Sequence, residues 1–201
     1  MTTKKKFLKC LTPVGTAAYA WIARPDEGHE FSDGKYKTTL VMDANDEAVE
    51  AGIAKLQAAI VEAAIAEWGK EPKQYRSPIK NGDDIADEKD GKEDLRGKYV
   101  LTAKSKFQPG MVDAKRQELP ADVFVNSGDT IRLSGVLIPY TAGGMKGIAI
   151  QLRNVQLLEQ RASMGGGDEF DDVDGYDTTL TASVETTSTP SAETYDDTQD
   201  F

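Results

Sequence analysis

Only one stretch of this chain has a helical period, and runs of period two lie on both sides of it. From Asp46 to Trp68, apolar residues fall at Val49, Ile53, Leu56, Ile60, Ala63 and Trp68. That spacing gives a helix one apolar face to lay on a sheet. Asp43 or Asn45 is placed to cap it, Asp46 and Glu47 sit in the first turn, and Gly69 is placed to end it. Elsewhere the pattern alternates. Tyr36, Thr38, Leu40 and Met42 oppose Lys35, Lys37 and Thr39; Tyr99, Leu101, Ala103 and Phe107 oppose Lys98, Thr102, Lys104 and Lys106. Ile131, Leu133 and Leu137 oppose Arg132, Ser134 and Tyr140 after a Ser127-Gly128 turn. Ile148, Ile150 and Leu152 share a face, and then the phase slips to Val155 and Leu157, which predicts a bulge near Arg153-Asn154. With one helix among many strands, regular βα alternation is absent and a doubly wound sheet is excluded. The expected fold is mainly β with one inserted helix, an OB-fold-type small β-barrel.

Residues 7 to 23 read as extended, broken at Pro13 and Gly15, with Tyr19 and Trp21 two apart on one face and expected in the core. Residues 70 to 96, with Pro72, Pro78 and the run GDDIADEKDGKED, read as a polar surface loop or insertion.

Charge divides the chain in two. Residues 165–201 hold 11 of the 34 acids and no Lys or Arg, which leaves residues 1–164 with 24 bases against 23 acids. The expected organisation is therefore a domain at 1–164 and a disordered acidic tail at 165–201 that ends on Phe201. A nearly neutral body does not exclude an anionic partner. Cys10 is the single cysteine, so an intrachain disulfide is impossible, and a small buried residue is the expected role. The start MTTKKKFLKC lacks the apolar run of a signal peptide, and no segment approaches the roughly 20 apolar residues of a membrane span. A soluble intracellular protein is expected, with no membrane partner.

Catalytic chemistry finds little support. His29 is the one histidine, in a loop between Glu27 and Glu30, so neither a triad nor a zinc site is expected. Neither acid run fits a calcium loop: with Gly91 sixth, Ala86 stands first and Gly97 twelfth; with Gly175 sixth, Phe170 stands first and Thr181 twelfth. AGGMKGIA lacks the spacing of a phosphate loop. It reads as a flexible connection, or as a place where Gly143, Gly144 and Gly147 let backbone approach a ligand with Lys146 on a phosphate. No metal, cofactor or catalytic residue is expected.

A basic and aromatic set on the predicted strands remains: Lys35, Tyr36, Lys37, Lys98, Lys104, Lys106, Phe107, Arg132, Tyr140, Lys146 and Arg153. Cations that follow phosphates, with aromatic faces that stack on bases, are what single-stranded nucleic acid requires. Two plain readings compete. Tyr36 and Phe107 lie on the apolar side of their strands, where core packing is expected, and Lys104 with Lys106 also suits an ordinary solvated face.

Eight of these residues sit within two stretches, GKYVLTAKSKFQPGMVD at Gly97–Asp113 and SGDTIRLSGVLIPYTAGGMKGIAIQLRNVQLL at Ser127–Leu158, whose specific parts are AKSK at Ala103–Lys106, PGMVD at Pro109–Asp113, SG at Ser127-Gly128 and KGIAIQLRNVQ at Lys146–Gln156. With the acid segment that begins GGGDEFDD, they resemble a family of bacteriophage single-stranded DNA-binding proteins over most of residues 5 to 170. The chain differs in the acidity of Asp83 to Arg96 and in its long Thr/Ser-rich tail. The resemblance implies an OB barrel and sequence-independent binding of single-stranded DNA in phage replication, recombination and repair, in the cytoplasm of the infected bacterium. It also implies a tail that competes with DNA and then recruits a polymerase, helicase or primase through Asp196, Asp197, Asp200 and Phe201. Self-association is compatible with it. At 37 residues the tail as a coil spans roughly 35 Å, enough to fold back over a small barrel. The rival reading is an acidic adaptor or DNA mimic that binds a host or phage factor and never touches DNA.

Overall fold

The structure is a computed structural model that describes residues 7–28, 30 and 32–161. Its elements, in order, are β1 (Lys9–Trp21), β2 (Tyr36–Asp43), α1 (Glu47–Trp68), β3 (Ile79–Asn81), α2 (Gly82–Glu88), a 3-10 turn (Glu93–Leu95), β4 (Lys98–Ser105), β5 (Gly110–Val112), β6 (Thr130–Ala142) and β7 (Met145–Glu159). Strands β1, β2, β4, β7 and β6 close on themselves in that spatial order, with the parallel β4–β7 pairing as the closing seam. The expected small barrel is thus present, with five strands. Its tail, the domain boundary at 164 and His29 lie outside the described residues.

The period-two runs fold as the alternation requires. Leu40, Leu101, Ile131, Leu133, Leu137, Ile148, Ile150 and Leu152 fill the barrel and are buried. The phase slip in β7 is a bulge: Ser134 pairs with Asn154 but Gly135 with Leu152, so Arg153 is the extra residue and Val155 regains the core. In β1 the register slips twice, between Leu11 and Val14 and between Ala18 and Trp21. At the first slip Pro13 has no N–H to give, and the buried Thr12 hydroxyl accepts from Leu133 N at 3.0 Å in place of a ladder carbonyl.

Helix α1 lays Val49, Ile53, Leu56, Ile60, Ala63 and Ala64 against β1 and β6. Its cap is Asp46, which accepts from Ala48 N at 2.8 Å and Val49 N at 3.3 Å. Asp43, one of the two expected caps, instead holds Asn45 N at 2.9 Å. Gly69 ends the helix at φ 76°, as its position predicts.

Residues 70–96 are not the expected loop, and α1 is not the only helix. Ile79–Asn81 add a short strand to β4, and Gly82–Glu88 form α2, capped by Asn81 at 3.0 Å on Asp83 N. Both elements are too short for a period to reveal them; pairing with β4 defines the strand.

Candidate nucleic-acid interface

β2 and β4 pair antiparallel over their full length, Tyr36 opposite Ser105 through Asp43 opposite Lys98. Their inward residues are spent on the core, so Lys37 and Thr39 of one and Thr102 and Lys104 of the other point outward together, with Lys35 and Lys106 just beyond the strand ends. One transverse row crosses four strands: Trp21 beside Lys37, Lys37 beside Lys104, Lys104 beside Gln151. Around the β4–β7 seam a cleft of about 430 Å³ opens, lined by Lys35, Lys104, Lys106, Tyr140, Ser77 and Pro78 among others. Four of the eleven sequence-selected residues therefore meet in one concavity. Gly147 shapes it, because the Tyr140 ring lies where a side chain at 147 would be, 2.5 Å from the position of its Cβ.

The remaining seven are distributed around this centre and beyond it. Phe107 stands just past the end of β4, 72% exposed, its N–H on Ser105 Oγ at 3.0 Å. The strand stops at Ser105, so the expectation of core packing for Phe107 is overturned. Tyr36 is half-buried at the same end of the sheet, and Lys37 lies in the transverse row. Lys146 is at the β6–β7 hairpin with Nζ 5.1 Å from the centre of the Trp68 ring. Lys98 stands at the far end of β4 opposite Asp43. Arg132 and Arg153 are not brought to the cleft. Arg132 bonds Thr12 O at 2.9 Å and lines a groove between β1 and α1, and Arg153 lines a depression with Lys9 and Leu11.

Two aromatic residues expected in the core instead border the face. Tyr19 occupies the second register slip of β1 with φ 51° and is 62% exposed. Lys92 reaches it from beyond α2, 3.2 Å from its hydroxyl and 5.8 Å from its ring centre. Trp21, half-buried beside Lys37, has the Arg24 guanidinium 5.7 Å from its ring centre. The sequence signal for this reversal is the composition of TAAYAWIA. Ala17 and Ile22 are buried, and the one-residue slip between them exchanges the faces of the larger side chains.

Carboxylates already hold part of the positive charge. The β1–β2 loop closes on itself through Asp26 N to Lys35 O and Gly34 N to Asp26 O, both 2.9 Å. That closure presents Asp33 to Lys104 Nζ at 2.8 Å and to Lys37 Nζ at 3.6 Å. The buried carboxylate of Asp26 also contacts Lys37. The Lys104 hydrogen bond holds Asp33 below the ordinary aspartate range, and the Asp26 hydrogen bond raises Lys37. Burial pushes the Cys10 thiol to about 11, far from a reactive thiolate. Among the described residues no group of three or more His, Cys, Asp or Glu could hold a metal ion, and no helix is long and apolar enough to cross a membrane.

A family model described as Enterobacter phage Enc34, ssDNA-binding protein, matches residues 11–183. The chain belongs to this family. No curated protein matches the sequence. Among solved structures, that of the single-stranded DNA-binding protein from bacteriophage Enc34 in complex with ssDNA superposes with a TM-score of 0.62 at 19% identity, covering 78% of this chain and 89% of that one. Gp2.5, the single-stranded DNA-binding protein encoded by bacteriophage T7, superposes with a TM-score of 0.53 at 22% identity, covering 82% and 98%. At these identities the structures share the barrel. For this Enc34-family chain, the residues that line its cleft are its own.

Proposed function

We propose that this chain binds single-stranded DNA without sequence preference, as a non-catalytic protein of phage DNA replication and recombination. The cleft at the β4–β7 seam supports the reading most directly, because it joins Lys35, Lys104 and Lys106 to a fixed aromatic, Tyr140. It opens beside the face of the second and third barrel strands, the surface on which OB folds bind oligonucleotides. Lysines follow the phosphates as point charges. Tyr140, Phe107 and Trp21 offer ring faces to bases of any identity, at about 1–3 kcal/mol per stacked base. Tyr36, Lys37 and Lys146 border the path, and Lys98, Arg132 and Arg153 act only if the strand continues around the barrel.

The acidic tail is the second part of the proposal. Eleven carboxylates between residues 165 and 201 compete with phosphates for the basic groove, at an effective concentration on the order of millimolar. DNA displaces the tail, and Asp196, Asp197, Asp200 and Phe201 are then offered to other replication proteins, Phe201 as apolar anchor and the acids against basic rims.

The test is fluorescence anisotropy on labelled poly-dT across a salt series, with the full chain, a truncation after Met164, and Lys104→Ala/Lys106→Ala. Expected are binding by the full chain, tighter binding by the truncation, and weaker binding with a shallower salt slope for the double variant. The slope is about −0.7 per phosphate neutralised. No binding at low salt by the full chain or the truncation would overturn the proposal in favour of an acidic adaptor.

A further inference from the structure

Strands β4 and β7 are paired over two positions only, Ala103 with Ile150 and Lys104 with Gln151. On one side of that contact other backbone stands between them, supplied by the chain from Tyr75 to Asn81. Arg76 pairs in parallel with Gly147: its N–H donates to Lys146 O at 3.0 Å, and Ile148 N donates to Arg76 O at 2.9 Å. Three residues later Ile79 pairs with Leu101, Lys80 with Val100 and Asn81 with Tyr99. Main-chain bonds thus fasten the segment to both strands as a strap, with Ser77 and Pro78 in the cleft wall between the two attachments.

The strap is basic. Residues 70–81 hold Lys70, Lys73, Arg76 and Lys80 against the single acid Glu71. The Arg76 side chain is exposed and steadied by its Nε–H on Met145 Sδ at 3.2 Å. Lys80 is exposed and stands opposite Val100, in the alternation of β4 that also presents Thr102 and Lys104 outward. The ion pairs among the described residues engage Lys37, Arg96 and Lys104, and none engages Arg76 or Lys80. The distinction matters energetically. A phosphate that approaches Lys104 must displace Asp33, whereas a phosphate that approaches Arg76 or Lys80 displaces only solvent and counterions.

We propose that the strap is a second phosphate-binding wall of the cleft, with Arg76 and Lys80 each neutralising one phosphate of a bound single strand. The strand is then held across the β4–β7 seam, between the strap and the Lys35–Lys104–Lys106 wall, and not along the β2–β4 face alone. This rests on the single-stranded DNA reading above.

The experiment measures poly-dT binding by the full chain from 0.05 to about 1 M salt for wild type, Arg76→Ala/Lys80→Ala, Arg76→Lys/Lys80→Arg and Lys55→Ala, the salt range being set by the counterion effect. Lys55 is an exposed lysine of α1 in the groove against β1, away from the cleft. Loss of two phosphate contacts lowers the slope of log K against log salt by about 1.4; the affinity falls about 25-fold at 0.1 M salt and meets wild type near 1 M. The charge-conserving variant keeps the wild-type slope, and Lys55→Ala is unchanged. Main-chain bonds fasten the strap, so the alanine variant should melt with wild type. If it melts lower, the charge-conserving variant decides, because a merely structural role would not separate the two in slope. Wild-type slope in Arg76→Ala/Lys80→Ala, or an equal loss in Lys55→Ala, overturns the proposal while DNA binding stands. Absence of wild-type binding overturns both readings.

Discussion

Replacement of Asp33 by Asn should make this protein bind single-stranded DNA more tightly. Asp33 accepts from Lys104 at 2.8 Å and lies 3.6 Å from Lys37, which Asp26 also holds. Asp33→Asn therefore frees one cation, Lys104, and leaves Lys37 on Asp26. A solvent-accessible pair of this kind is worth about 0.2–1 kcal/mol. Its removal should raise affinity by about 1.4- to 5-fold, at roughly 1.4 kcal/mol per tenfold. The salt slope should steepen by up to about 0.7, because a phosphate on Lys104 no longer exposes a carboxylate that takes up a counterion. Fluorescence anisotropy against salt measures both quantities, and a cycle with Lys104→Ala assigns them, since the gain should vanish in the double variant. The pH dependence follows from sign. Asp33 titrates below the ordinary aspartate value of 3.8 because Lys104 holds its charged form. The pair's stabilisation is thus fully present above that value and is lost only as pH falls through the lower folded one. The gain from Asp33→Asn should be constant from pH 8 to pH 5. Weaker binding, or a gain that survives Lys104→Ala, would refute the reasoning.

Gly147→Ala should fold as wild type and bind DNA as poorly as Tyr140→Ala. The atoms nearest the new methyl all belong to the Tyr140 side chain, which must move, and equal anisotropy curves for the two variants would show it. Asp46→Ala removes the acceptor for two amides at the start of α1 and should cost about 1 kcal/mol in urea unfolding, with DNA affinity unchanged.

The barrel was legible because its long strands carry their own period, and even the β7 bulge was written in the slip from Leu152 to Val155. The strap and α2 were not, because three- and seven-residue elements have no period and are fixed by partners elsewhere. The cleft was half legible. Alternation identified Lys104 and Lys106 as outward, but neither the partner of Lys104, 71 residues away, nor the closure that separates Arg132 and Arg153 from the cleft can be read from spacing. Tyr19 and Trp21 reversed faces through one extra residue in β1. Strand alternation picked out Lys104 and passed over Arg76 in an apparent loop, and spacing does not show that Lys104 is held by Asp33.

The cleft's walls also have a temporal consequence, because Lys35 and Gln151 lie at opposite ends of the folded chain. Synthesis at about 5–20 residues per second separates their emergence from the ribosome by roughly 6 to 23 seconds. For most of that interval β1 and β2 exist without β6, and β7 stays incomplete to its end, so the apolar sides of Leu40 and Met42 have no closed barrel to enter. Helix α1 is complete early and can shelter part of that surface, but the seam cannot form until Ile150 and Gln151 of β7 have emerged. Until then each growing chain carries a half-barrel with an unpaired strand edge and open apolar surface, the kind of species that aggregates unless it is sheltered.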